Sequence, residues 1–263
     1  MGRFQGRREA GTGEGKGGRL PWISFVAIGL LAGCAPAMPP ENATPRGRFD
    51  WSVERYENEK YHDAIRGFRD HLLREPLHPT ADSSRLLLAE SYLATDQELL
   101  AANEFQQLAT SRPNSPMADD AQFGVCRAYW AVSPDLPRDQ EFTGKAIEEC
   151  TRLLEFFPRS PLVGEARDLV AQARQKMAAK ELRVGKFYYD RGFLESAIIY
   201  FENILQTYPE TEVIPETLFV LHDSYDRVGF RMEAEATRRR LYELYPDSPQ
   251  ARELRGETAG DEG

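Results

Sequence analysis

The chain has 263 residues, 42 acidic and 33 basic, and a formal net charge of −9. A surface this acidic repels phosphate backbones, which argues against nucleic acid as a partner. The four histidines, His62, His71, His78 and His222, fall into no metal-ligand spacing, and the chain has no G-x-S-x-G elbow, phosphate-binding loop or zinc-type cysteine pair. The neighbouring acids Asp119-Asp120 and Glu148-Glu149 point to different sides of a helix, so they do not share a catalytic proton. No catalytic residue, metal or cofactor is expected, and the reading is of a protein that binds.

Residues 1–33 stand apart from the rest. Arg3, Arg7, Arg8, Lys16 and Arg19 precede an apolar run from Trp22 to Ala32. Eleven residues are too few to span a bilayer, which takes about 20, but they suit the core of a signal peptide. The run ends Leu31-Ala32-Gly33-Cys34, which resembles the bacterial lipobox. That resemblance implies a cut after Gly33 and acylation of Cys34; the bland alternative is a short uncleaved anchor. More than one acyl chain would give lasting attachment. Ala35 follows where Asp often marks retention in the inner membrane, so the expected location is the outer membrane, lipid-anchored and facing the periplasm. Removing the leader's five basic and two acidic residues leaves the rest near −12. From 34 to 47 the chain carries Pro36, Pro39, Pro40 and Pro45. That stretch reads as a semi-rigid tether of roughly 40 Å, at ~3.1 Å per residue.

Beyond the tether, an alanine is followed twelve residues later by a proline five times: Ala64/Pro76, Ala101/Pro113, Ala146/Pro158, Ala197/Pro209 and Ala234/Pro246. Successive alanines are 37, 45, 51 and 37 residues apart, so the two longer steps carry insertions. Each Ala-to-Pro stretch predicts one helix. Ala197, Phe201, Ile204 and Leu205 make a single apolar stripe, alanine admits a close neighbour, and proline stops the helix. Ser115, Ser160, Thr211 and Ser248 then read as N-caps of the following helix, with Pro116, Pro161 and Pro249 in its first turn. The first repeat departs from this, reading Pro76-Leu77-His78-Pro79-Thr80. Upstream of each alanine lies a second amphipathic segment, as in Gly185–Gly192, where Gly185 allows close packing and Gly192 breaks the helix.

The unit of helix, turn, helix and proline resembles the tetratricopeptide repeat. Repeat four matches best through Gly185, Tyr188, Ala197, Phe201 and Pro209. Repeat five has His222 and Arg238 at the first and fourth of these positions, and repeat three has Cys150 for an aromatic and an insertion near Ser133–Phe142. The expected fold is therefore all-α, a tetratricopeptide solenoid of about five helix-turn-helix repeats in a right-handed superhelix. Repeats one to three occupy 48–162, repeats four and five 163–250, and 251–263 is a disordered tail. The same alignment makes Cys126 and Cys150 face each other across repeat three, either as a disulfide or as two small buried apolar residues.

Two segments narrow the resemblance. Arg138-Asp139-Gln140-Glu141-Phe142-Thr143 is similar to an Arg-Asp-Gln-x-x-Thr segment of the BamD (ComL) family, and Glu181–Gly192 is similar to that family's fourth repeat. The likeness runs from about Phe49 to Pro249. It implies a role in outer-membrane β-barrel assembly, with other lipoproteins of that machinery as neighbours. The POTRA region of BamA would be bound by the C-terminal half and unfolded outer-membrane proteins recognised by the N-terminal half. A tetratricopeptide superhelix lines its groove with the first helix of each repeat. That projection places Phe49, Val53, Tyr56, Leu86, Leu93, Phe123, Arg127 and Trp130 on a groove suited to an extended peptide ending in an aromatic and a carboxylate. On repeats four and five the same face carries Lys186, Tyr189, Asp223 and Asp226, a polar surface suited to a folded partner. The alternatives are a periplasmic scaffold for cell-wall synthesis or the Tol–Pal system, and a module regulating a hydrolase.

Overall fold

The structure is a computed structural model that describes residues 38–136 and 138–256. The leader, Cys34 and the cut after Gly33 lie outside the described residues, as do 257–263. Within them the chain forms eleven helices and no strand: α1 Pro45–Glu57, α2 Tyr61–Arg74, α3 Ala81–Leu93, α4 Glu98–Ser111, α5 Ala118–Val132, α6 Glu141–Phe156, α7 Val163–Asp190, α8 Leu194–Thr207, α9 Ile214–Val228, α10 Arg231–Leu244 and α11 Pro249–Leu254. From α1 to α10 each helix packs on the next in sequence. In addition α1 touches α3, α3 touches α5, α5 touches α7 and α7 touches α9, so the odd-numbered helices form one continuous wall. This is the tetratricopeptide solenoid, five helix pairs with α11 closing the far end against α9.

The five marker alanines sit in the tightest part of each pair. Ala64, Ala101, Ala146 and Ala197 are fully buried and Ala234 nearly so. Four residues on, Phe68, Phe105, Cys150 and Phe201 are fully buried as well. Burying a phenylalanine side chain contributes about 2–3 kcal/mol, so these rings carry much of each pair's stability. Repeat five places Arg238 there instead, half-exposed over the Tyr242 ring at 5.9 Å.

The prolines act through the residue before them. Glu75, Arg112, Phe157, Tyr208 and Tyr245 cap α2, α4, α6, α8 and α10 with almost one backbone geometry, φ −125° to −136° and ψ 47° to 58°. A following proline bars that residue from the helical region. Each cap N–H still donates to the fourth residue back, at His71, Leu108, Leu153, Ile204 and Leu241. A reverse turn follows in all five, His78, Ser115, Ser160, Thr211 and Ser248 donating to the cap carbonyl. The first repeat thus makes the same connection despite its different sequence, with His78 in the serine position.

Four features differ from the sequence-based expectation. Ser115, Ser160 and Thr211 do not cap helices: a second reverse turn intervenes, and α5, α7 and α9 begin at Ala118, Val163 and Ile214. Only Ser248 caps directly, its Oγ accepting from Ala251 N at 3.1 Å with Pro249 opening α11. That cap, and the full burial of Ala251, make 249–254 a helix rather than part of a loose tail. The two insertions also differ in kind. The first is a loop between α5 and α6, whereas the second lengthens α7 to 28 residues. The early turns of α7 bury Ala166 and Leu169 against repeat three, and its later turns bury Leu182 among repeats four and five. The expected break at 162/163 therefore separates α7 from the core it covers.

The tether is the fourth. Pro39 is buried, Ala43 N donates to Pro40 O, Thr44 Oγ1 caps α1 and Arg48 Nη1 donates to Ala43 O at 2.6 Å. Residues 39–47 are part of the folded unit, because Thr44 and Pro45 together start a helix where the proline count alone suggested an extended spacer.

Candidate binding surfaces

The N-terminal half of the odd-helix wall carries the residues expected to line a groove. Phe49, Val53 and Tyr56 on α1 and Leu86 and Leu93 on α3 are half-buried and pack against the first core cluster. Phe123 is only 6% exposed and belongs to the core of repeat three, not to a groove surface. Its place on α5 brings it against Cys126 and the start of α7. Trp130 is half-buried in the same cluster, and the Lys176 ammonium of α7 covers its ring at 5.0 Å while reaching Ser133 Oγ at 2.8 Å. An aromatic trough is thus not what this wall presents.

What it presents is a polar cluster around Tyr56 and Arg127. Arg127 Nη2 donates to Glu90 Oε1 at 2.6 Å, and the guanidinium lies 5.8 Å from the Phe123 ring centroid. Its Nε is buried without a hydrogen-bond partner. Burial, with help from Glu90 and Tyr61 and against Arg127, pushes the Tyr56 hydroxyl above its ordinary value. Burial, Asp119 and Glu90 likewise raise the Asp120 carboxyl, again opposed by Arg127. Three successive inner helices thus contribute Tyr56, Glu90, Asp120 and Arg127 to one electrostatic patch. Glu90 was not singled out in the sequence, and Asp120 was considered only as half of the Asp119-Asp120 pair and set aside. The signal was present: Glu90 lies four residues after Leu86, and Asp120 three before Phe123, so each shares a face with a named neighbour.

On α7 and α9 the structure joins two of the four residues expected to meet a partner, Tyr189 and Asp223, and ties a third, Lys186, to a residue outside that set. Lys186 pairs with Glu216. Tyr189 donates to Asp223 Oδ2 at 2.6 Å, and Arg227 approaches that same oxygen at 3.4 Å with its guanidinium 5.1 Å from the Tyr189 ring. Burial and the Asp223 acceptor raise the Tyr189 hydroxyl above its usual range. Lys186 and Glu216 also border a hollow of about 570 Å³ that Leu182, Phe187 and Val213 help to line. Asp226 stands apart, exposed at the end of α9, where its carbonyl accepts from Gly229. Glu216 and Arg227 are the additions: Glu216 becomes a partner only when α9 is laid beside α7, whereas Arg227 lies four residues after Asp223 on α9 and its pairing was available from the spacing.

The Arg-Asp-Gln-x-x-Thr segment is a clamp on the inserted loop. Gln140 and Thr143 are buried. Gln140 Nε2 donates to the carbonyls of Pro134 and Arg138, both at 3.1 Å, while its Oε1 accepts from Thr143. The motif thereby fixes the entry to α6. Cys126 and Cys150 are both fully buried and are joined across α5 and α6 with Cα atoms 5.2 Å apart, a separation suited to a disulfide.

Among the described residues no group of three His, Cys, Asp or Glu side chains is placed to hold a metal ion, and no helix is long and apolar enough to cross a membrane. Solved tetratricopeptide structures resemble the chain loosely: a thermophilic repeat protein of Thermus thermophilus is 18% identical over 81% of this chain and 97% of that one, with a TM-score of 0.37. Curated relatives match over a similar share of the chain. The outer membrane protein assembly factor BamD of Caulobacter vibrioides is 23% identical, covering 82% of this chain and 73% of its own. The BamD of Neisseria meningitidis serogroup A is 25% identical over 85% and 91%, and that of Haemophilus influenzae 25% over 84% and 89%. The YfiO model, described as an outer membrane lipoprotein, matches residues 42–254. That span takes in all of repeats one to five and ends with α11, and the chain belongs to the YfiO family of outer membrane lipoproteins.

Proposed function

We propose that this chain is a non-catalytic lipoprotein subunit of the outer-membrane β-barrel assembly complex, binding BamA and unfolded barrel proteins for their folding and insertion. The observation that carries the reading is its similarity to BamD assembly factors, which extends over 73% to 91% of their own chains. Cys34, acylated after a cut behind Gly33, holds the repeats at the periplasmic face of the outer membrane. The α7–α9 face with Lys186, Tyr189, Asp223 and Asp226 takes the POTRA region of BamA, other lipoproteins of the complex joining around it. Its paired charges over a shallow hollow suit a folded partner with a mixed interface. The Tyr56–Arg127 patch takes the carboxylate end of a barrel protein, since a guanidinium answers a carboxylate. In that oxidising compartment Cys126 and Cys150 form a disulfide.

The test is a pull-down of the tagged chain from detergent-solubilised envelopes, in parallel with a Lys186→Glu, Asp226→Lys variant. BamA should dominate the wild-type eluate and fall several-fold with the variant. A predominance of Tol–Pal components or of a cell-wall hydrolase would replace the reading. Undiminished BamA recovery by the variant would move its interface off α7 and α9.

A further inference from the structure

A cavity of about 520 Å³ opens between α2, α3 and α4. Arg66, Arg69 and Arg85 line it, as do Asp70 and Glu104. The two acids are already engaged: Asp70 accepts from Arg74 at 2.7 Å, and Glu104 accepts from Arg85 at 3.2 Å. Burial raises the Glu104 carboxyl above its ordinary value, and Arg85 and Arg69 work against that shift. Arg66 is itself paired with Asp63 on α2, and the three arginines still outnumber the two acids that line this hollow, on a chain that is acidic overall.

Apolar side chains stand open beside these arginines. Leu73, which also lines the cavity, is 83% exposed; Leu77, just past the end of α2, is 85% exposed; and Met38, at the cavity's edge, is 51% exposed. Leucines projecting beside arginines make the composition of a surface that lies in a bilayer interface, apolar groups in the acyl boundary and guanidinium groups at the phosphates.

Chain length supplies the occupant. Met38 lines the cavity, and only three residues lie between it and Cys34, a reach of at most about 14 Å when fully extended. Because residues 39–47 fold onto the first repeat, the tether cannot carry the repeats farther from the anchor. We propose that the α2–α4 face rests on the phospholipid surface that holds the anchor, Arg66, Arg69 and Arg85 taking headgroup phosphates while Leu73 and Leu77 enter the acyl boundary. This rests on the reading of Cys34 as the acylated terminus.

The experiment uses the full chain from residue 34 with Cys34→Ser, so that no acyl chain contributes, floated with vesicles of phosphatidylethanolamine and phosphatidylglycerol at low and high salt. Co-flotation that weakens with salt is expected. It should fall at least about tenfold with Arg66→Glu plus Arg69→Glu, given what each basic side chain contributes at an anionic surface. Leu73→Asp should also reduce it, and at an 83% exposed position that change leaves folding intact. Absence of co-flotation, or equal binding by Leu73→Asp, overturns the proposal. So does thermal stabilisation by inorganic phosphate without vesicle binding, which would make the arginines a soluble-anion site, and so does preferential capture of an acidic peptide. Mass spectrometry of the native N-terminus tests the anchor separately: an unmodified Cys34 removes the anchor reading whatever the vesicles show.

Discussion

Gly185 of α7 lies so close to the Phe201 ring of α8 that a Cβ at residue 185 would stand 2.5 Å from Cε1. No side chain larger than hydrogen fits unless the ring moves, and the ring is fully buried. Gly185→Ala should therefore destabilise repeats four and five by about 1–3 kcal/mol, despite alanine's better helix propensity. Gly164, at the start of the same helix, meets nothing within 4 Å. Gly164→Ala is the control and should be neutral or slightly stabilising. Urea unfolding midpoints of the two variants distinguish packing from propensity.

The Arg127–Glu90 pair makes a signed prediction about ligands. If the N-terminal wall takes a peptide carboxylate, that carboxylate must displace Glu90 from the guanidinium. Glu90→Gln should then strengthen binding of a peptide ending in an aromatic residue and a free carboxylate, and Arg127→Gln should weaken it. Both side chains are partly exposed, so each effect should be modest, about threefold to tenfold. Amidating the peptide should abolish the difference between the two variants. Fluorescence anisotropy with a labelled peptide reads all three, and equal affinities would remove Arg127 from the site.

The interval between alanine and proline was enough to give the number and phase of the helix pairs, because both residues act locally. A buried alanine sets how near the partner helix lies, and a proline sets where its own helix stops. What the sequence did not show depends on packing between elements. Phe123 looked like a groove aromatic because its helical phase was right, but the extension of α7 covers that part of α5. Glu216 carries no signal of its own until α9 lies beside α7. The serines after the prolines resemble caps, yet the turn that follows them is set by how the next helix returns to the core.

His71 makes stability depend on pH. It occupies the buried position that Leu108, Leu153, Ile204 and Leu241 hold in the other repeats. Nε2 is 2.9 Å from Thr80 Oγ1, while Nδ1 is buried without a partner. Burial, then His78 and Arg48, hold its pKa below the ordinary 6.5, with Glu75 and Asp70 opposing. In this range the unfolded chain binds the proton more readily than the folded one, so stability rises with pH. The contribution of a neutral His71 is whole above 6.5 and drains away as pH falls from there toward the lower folded value. His71→Leu should stay within about 1 kcal/mol of wild type at about pH 7.5 and lose less stability on acidification to about pH 5. Parallel slopes for the two proteins would show that other groups carry the acid sensitivity.

Four helix ends share one motif with different residues at its strained position. After α1, α3, α7 and α9 the chain enters the left-handed region at Glu59 (φ 58°), Asp96 (φ 55°), Gly192 (φ 78°) and Gly229 (φ 87°). In each, the next residue's N–H donates five residues back: Lys60 to Arg55, Gln97 to Tyr92, Phe193 to Tyr188 and Phe230 to Tyr225. Glycine takes this conformation without a Cβ penalty, whereas an L side chain there costs about 1–2 kcal/mol. Glu59→Gly should accordingly stabilise the first repeat by about 1 kcal/mol. Asp96→Gly should gain less, because aspartate tolerates the left-handed region better than glutamate. Both residues are exposed, so no lost contact offsets the gain. Gly192→Ala and Gly229→Ala should move stability the other way by about 1 kcal/mol. Denaturant midpoints for the four variants test the motif as a unit, and a destabilised Glu59→Gly would mean that Glu59 supports the first repeat through its side chain.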